Sequence, residues 1–233
     1  MLRVYLVRHA TAQDKGETLP DLERSLVKKG EKEAAAVAGY LVSRHTAPDL
    51  MISSFANRAI ETAHLFAKAF RYSRQRILLR DTFYGNSNAE DLAKEIRKQP
   101  DKYRSLMLFG HDPAFSRLAA YLVKGFEEEL PKAGVVIADF PVHRWQEIER
   151  ASGRLVEFIS PTGLKALKKR ARTDLEAKLA RGIEGVLARS HREGARAFQK
   201  EARKAARKLA KAFLASLAEK APGRPGKSKR GAG

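Results

Sequence analysis

The stretch Leu2-Arg3-Val4-Tyr5-Leu6-Val7-Arg8-His9-Ala10 decides how the rest of the chain is read. Its apolar and β-branched residues predict a short buried strand that ends abruptly in a cation and an imidazole. In open α/β sheets ligands gather outside the carboxyl ends of the strands, so an Arg-His pair there stands at a candidate site. A solvated loop start has the same appearance. Two later segments therefore decide what the pair means.

Downstream, helical and strand-like segments alternate. Helical spacing of Ala34, Val37, Ala38, Leu41 and Val42 predicts a helix over 28–44, and 49–53 reads as a second buried strand. A second amphipathic helix is expected over 57–70, a third strand over 76–79 and a short helix over 89–98. A strand over 105–109 and a helix over 114–123 follow. This order predicts parallel strands with crossover helices. The runs 135–140 and 154–159 are β-rich and are expected as an antiparallel pair at the sheet edge. The fold class is therefore α/β, a three-layer sandwich with a mostly parallel central sheet flanked by helices, plus a basic C-terminal helical extension.

Composition divides the chain. Of its 233 residues, those after 163 carry 21 Lys/Arg against 6 Asp/Glu, whereas those before carry 25 against 21. The domains expected are a catalytic one over 1–162, a basic helical extension over 163–220 and a disordered basic tail over 221–233. Thr173-Asp174-Leu175-Glu176 fits a capping box, which predicts that a long helix starts there. Leu175, Leu179, Ile183, Val186 and Leu187 share one face, and Phe198, Ala202, Ala205, Leu209, Phe213 and Leu217 form a similar stripe. Gly182, Gly185 and Gly194 predict a bend or close helix packing between them. A charged helix packing its Leu/Ala stripe, a helix joining two copies of the chain, and binding to nucleic acid or another polyanion are all open readings of this region.

With no cysteine, disulfides and thiolate chemistry are excluded. The absence of any apolar run near the roughly 18 residues of a membrane span makes a cytoplasmic location the expectation. No cofactor is expected, and no metal, because His and Asp do not recur at ligand spacing.

Three strand ends carry comparable chemistry: Arg8-His9, then Ser53-Ser54 with Arg58, then Gly110-His111. If the strands are parallel, two imidazoles and two guanidiniums meet at one edge. Guanidiniums match phosphate oxygens bidentately and stay charged at any working pH. A neutral imidazole is a competent nucleophile for phosphorus, and Arg58 in the first turn of its helix adds backbone N–H groups for an anion. For Ser54 a turn role and a phosphate contact are both open. His45, His64, His143 and His191 lie outside these segments, and Trp145 reads as an amphipathic anchor near the edge strands.

Leu6-Val7-Arg8-His9-Ala10, Ser53 to Ala63 and Phe109-Gly110-His111-Asp112-Pro113 together resemble the three signature blocks of the histidine phosphatase superfamily, in the family's order. The compact chain and Arg24-Ser25-Leu26-Val27-Lys28-Lys29-Gly30 are most similar to its SixA-like phosphohistidine phosphatases. The resemblance implies His9 as nucleophile, Arg8 and Arg58 as phosphate clamps and His111 as the second imidazole, with Arg24 and Ser54 as further substrate contacts. Phe55 and Asp112 depart from the family's residues at their positions. So does the loop over 81–86, where relatives acting on esters carry a carboxylic acid and Asp81 is the only candidate proton donor. An alkoxide leaving group needs such an acid and an imidazole does not, so the expected substrate is a phosphohistidine-containing protein. The alternatives are a small phosphate ester such as a sugar phosphate or nucleotide, and a non-catalytic phosphate- or polyanion-binding protein.

Overall fold

The structure, a computed structural model, describes residues 1–16, 20–85, 87–190 and 199–220. It divides into two compact units, Met1–Gly163 and Leu164–Gly233.

In the first unit the strands are β1 (Leu2–Arg8), β2 (Leu50–Ser53), β3 (Leu78–Leu79), β4 (Ser105–Gly110), β5 (Val135–Phe140) and β6 (Arg154–Ile159). They form one sheet in the order β3-β2-β4-β1-β5-β6. The first four are parallel, β5 runs antiparallel to β1, and β6 runs antiparallel to β5 at the edge. The helices are α1 (Lys28–Val42), α2 (Asn57–Phe70), α3 (Ala89–Arg97) and α4 (Ala114–Leu122). Side chains alternate across the sheet as the pleat requires. Leu2, Val4, Leu6 and Leu108 join Leu92 and Ile96 of α3 and Phe115 and Leu118 of α4 in one cluster. Phe109 points to the opposite face, where its ring meets Phe66 of α2 edge-on at 5.4 Å. The α/β architecture is thus the one expected.

Two features fix the chain near the strand ends. Gly110 closes β4 because a Cβ there would lie 2.0 Å from the Phe115 ring, and at Gly30 a Cβ would strike the Thr11 carbonyl oxygen. A larger residue at either place needs a backbone shift.

Several local expectations are corrected. The third strand is only Leu78–Leu79, because Arg74–Arg76 winds into a 3-10 turn and β3 pairs with β2 alone. Trp145, by contrast, has the character of an amphipathic anchor: its ring is fully buried, and its indole N–H donates to the Tyr103 carbonyl at 2.8 Å.

In the second unit α5 runs unbroken over Pro161–Ser190, and α6 over Gln199–Lys220. No helix starts at Thr173. Strong helix formers on both sides keep that residue helical, and its hydroxyl bonds back to the Lys169 carbonyl at 3.1 Å. α5 also continues through Gly182 and Gly185 with nothing within 4 Å of either Cβ position, so neither marks close packing. Ion pairs Arg203–Glu184 and Arg207–Glu176 show the two helices running antiparallel. The buried seam of α6 is Ala202, Ala206 and Ala210, whereas Leu209 and Phe213 of the expected stripe are 53% and 51% exposed. Small residues at i, i+4 and i+8 win this seam by close approach. Phe198, Gly194, His191 and the basic tail over 221–233 lie outside the described residues. Among the described residues no helix is long and apolar enough to cross a membrane.

Candidate active site

The central ladders align the strand ends that matter. Arg8 is in register with Gly110, and Ser53 with Phe109. The backbone N–H of His9 donates to the Gly110 carbonyl at 2.9 Å, and that of Ser54 to the Phe109 carbonyl at 2.9 Å. Arg8, His9, Ser54 and His111 therefore leave the sheet at one edge. Arg58 comes to the same edge from the first turn of α2.

His9 is 9% exposed and His111 6%, and their rings stand 5.0 Å apart. His9 Nδ1 lies 2.8 Å from the Ala10 carbonyl oxygen. A carbonyl can only accept, so Nδ1 carries the proton and the Nε2 lone pair faces away from that contact. Burial, together with the Arg58, Arg8 and Lys132 charges, pushes the His9 imidazole down to about 4. Burial, His9 and Arg58 likewise push His111 down to about 3. Both rings are neutral at pH 7.

The two arginines are held from the side. Arg8 Nη1 donates to the Leu130 carbonyl at 2.6 Å and lies 3.8 Å from the Asp112 carboxylate. Asp112 also accepts from the Ser116 hydroxyl, which in turn accepts from the Leu130 N–H. The acid at this position thus braces Arg8. Arg58 donates to the Asp21 carbonyl and, through Nη2, to the Asp21 carboxylate at 2.8 Å. Arg8 Nε, Arg58 Nε and His111 Nδ1 are buried with no hydrogen-bond partner among the described residues. Among the described residues the only other such side-chain atom is Glu184 Oε1, in the second unit.

The remaining expected residues fall in different places. Ser54 is fully buried, with its hydroxyl 2.9 Å from His111 Nε2, and it accepts from the Ala56 N–H. Arg24 is occupied by the Asp21 carboxylate at 2.7 Å and the Gln13 carbonyl at 2.7 Å. Asp81 is exposed and turned to its own loop, accepting from the Thr82 N–H.

Three contributors escaped the sequence reading. Asp21 is a second carboxylate at the site beside Asp112, accepting from Arg58, Arg24 and the Tyr84 hydroxyl. Desolvation opposes its ionisation, but these hydrogen bonds outweigh it and hold the carboxyl well below the usual range. Asp21 and Arg24 stand at i,i+3 just after Pro20, the one signal that could have singled them out. Tyr84 packs its ring edge-on against His111 at 5.5 Å. Thr62, fully buried, donates to the Arg58 carbonyl and accepts from the Ala10 N–H, tying α2 to the loop that carries His9.

Comparison with known proteins agrees with this geometry. The profile of the Histidine phosphatase superfamily (branch 1) matches residues 4–123. A chloroplastic protein of Arabidopsis thaliana is 30% identical over 159 residues, covering 65% of this chain and 72% of its own. A protein of Mycobacterium tuberculosis strain H37Rv is 28% identical over 155 residues, 61% of this chain and 92% of its own. Among solved structures, the SixA protein of Agrobacterium tumefaciens superposes with a TM-score of 0.57 at 29% identity, covering 69% of this chain and 98% of its own. A protein histidine phosphatase SixA complexed with tungstate shares the fold at a TM-score of 0.61 and 16% identity, over 70% of this chain and 99% of its own. The chain belongs to the histidine phosphatase superfamily, branch 1, on its SixA-like side, and is a phosphatase.

Proposed function

We propose that the protein removes the phosphoryl group from phosphohistidine in a protein partner, without a metal, through a covalent intermediate on His9. The observation that carries this reading is the set of three buried nitrogens, Arg8 Nε, Arg58 Nε and His111 Nδ1, which have no hydrogen-bond partner among the described residues. Buried donors left unpaired are costly, and the equatorial oxygens of a phosphoryl group are the acceptors such a cradle suits. In the tautomer in which Ser54 donates to Nε2, His111 carries its proton on Nδ1 and is a neutral donor to one oxygen.

His9 Nε2 attacks phosphorus as the bond to the substrate's imidazole nitrogen breaks. The substrate ring, protonated at its distal nitrogen by solvent, leaves as neutral imidazole. The phosphorylated His9 ring carries a positive charge that the Ala10 carbonyl stabilises through Nδ1–H. Water then attacks phosphorus and the bond to Nε2 breaks; one of the water's protons stays on the phosphate released, the other passes to solvent, and His9 is returned as the neutral ring with its proton on Nδ1.

The choice of a P–N substrate rests on the acids. Asp21 is held ionised, and Asp81 is exposed and engaged with its own loop. Neither suits protonation of an alkoxide, a step that phosphohistidine does not need. We place this activity in the cytoplasm, on histidine-phosphorylated signalling proteins, and assign the second unit to a polyanionic partner.

The test is phosphate release in EDTA from a histidine-phosphorylated carrier protein and from glucose 6-phosphate, with wild type and His9→Ala. Faster turnover of the carrier, abolished by His9→Ala, supports the reading. Turnover of the sugar phosphate with the carrier untouched overturns the substrate class and moves it to small esters.

A further inference from the structure

The phosphatase chemistry uses no residue of the second unit. Between 200 and 211, α6 carries six cations and one acid, Glu201. At about 100° per residue, Lys200, Lys204, Lys208 and Lys211 fall within an arc of roughly 80°, with Arg203 and Arg207 beside it. All four lysines are exposed. The side chains of Arg203, Lys204 and Arg207 are 72%, 65% and 80% exposed. Their spacing sets a cation every ~5–6 Å along a straight row about 17 Å long.

We infer that this lysine row binds the phosphate backbone of double-stranded nucleic acid without regard to base sequence. A straight row of that length faces about five phosphates of one strand, at roughly 3.4 Å of axis each. A helix about 10–12 Å across also matches the width of a major groove, about 12 Å. The arc holds no aromatic residue, so stacking on single-stranded bases has no platform. Lysine supplies point charges and not the planar fork that reads guanine, which suits backbone contacts over base edges.

A membrane surface is disfavoured by the same helix. Directly opposite the lysine arc lies the seam of Ala202, Ala206 and Ala210, which is already buried within the protein. A helix lying in a bilayer interface needs that face for lipid. A flexible inorganic polyphosphate would lose conformational freedom on lining up along the row, whereas a duplex is already straight.

The experiment is fluorescence anisotropy of the full chain with 20-base-pair DNA duplexes of two unrelated sequences, from 50 to 200 mM salt. Equal affinity for both is expected, with a slope of log K against log salt of about −4 to −5. The variant K200Q/K204Q/K208Q/K211Q should bind at least tenfold more weakly at 50 mM salt, with the slope reduced by about 3 to 4, at unchanged phosphatase activity. The corresponding Lys→Arg variant should retain binding. If the Gln variant loses helix content, K200Q/K211Q alone should still reduce the slope by about 2. No duplex binding at 50 mM, or undiminished binding by a well-folded Gln variant, overturns the inference. Retention by inorganic polyphosphate or by phosphatidylglycerol vesicles without duplex binding overturns it as well.

Discussion

The Asp21 carboxylate accepts from Arg58 Nη2 at 2.8 Å while the carbonyl of the same residue accepts from Nη1. The 3-10 turn at Asp21 thereby occupies two of the three nitrogens of Arg58 and leaves Nε toward the site. Its negative charge also stands close to where an anion would bind. Asp21→Asn keeps an oxygen acceptor but removes the charge. Competitive inhibition by vanadate should tighten about threefold to tenfold, since a like charge a few ångströms away costs an anion roughly 1 kcal/mol in a partly solvated site. Weaker inhibition in Asp21→Asn would mean that holding Arg58 matters more than the repulsion.

His9 and His111 make different demands. His9→Ala should abolish turnover and the acid-labile, base-stable phosphoryl label left on the protein by a rapid quench. His111→Ala should keep the label detectable but lower kcat by about 10² to 10³, the usual cost of losing one donor to a developing oxyanion. Ser54→Ala leaves the ring in place without the hydroxyl that selects its tautomer, and kcat should fall about tenfold with little change in KM. A Ser54→Ala loss confined to KM would remove Ser54 from this role.

Acid should act through both imidazoles. Their folded values, about 4 and about 3, lie below that of an unfolded histidine. The unfolded chain therefore takes up protons first as pH falls. Their contribution is complete above about 6.5 and is lost as pH drops from there toward the folded values. In phosphate-free buffer, NMR of the two rings should show no titration between pH 7 and 5.5, and Tm should decline only below about 6.5. A ring midpoint near 6.5 would contradict the burial argument.

Gly110 and Phe115 form a steric pair, with the ring only 2.0 Å from where a Cβ would sit. Gly110→Ala should cost about 1–3 kcal/mol in urea unfolding, as overpacking does. Phe115→Leu alone should also destabilise, but the two together should cost less than the sum. Simple additivity would show that the strand end yields elsewhere.

Most of this site could be read from the sequence because its groups sit next to short apolar runs. Val4 to Val7 and Leu106 to Phe109 announce strands, and the Arg8-His9 and Gly110-His111 pairs that follow them have no packing reason to be there. The second helix, 57–70, is found at its predicted limits. Its actual core uses Ala59, Ala63 and Ala67 as much as the larger residues, with Ile60 and Leu65 only half-buried. Asp21 and Tyr84 were not legible because Asp21 lies 37 positions from Arg58 and 63 from Tyr84, and no local period links loop residues that meet only in the fold. The second unit misled for the opposite reason. Its local signals, a capping box and a large-residue stripe, are genuine propensities, but an alanine seam and a continuous run of helix formers overrode them.

The His9 and Ser54 N–H groups bond to the carbonyls of Gly110 and Phe109, so these site residues are extensions of the innermost sheet ladders. Their amides should rank with the slowest to exchange with solvent deuterium. There is then no partial opening that disarms the nucleophile and spares the sheet. In rising denaturant, enzyme activity and the far-ultraviolet signal of the first unit should disappear together, and the phosphatase would fail as a whole.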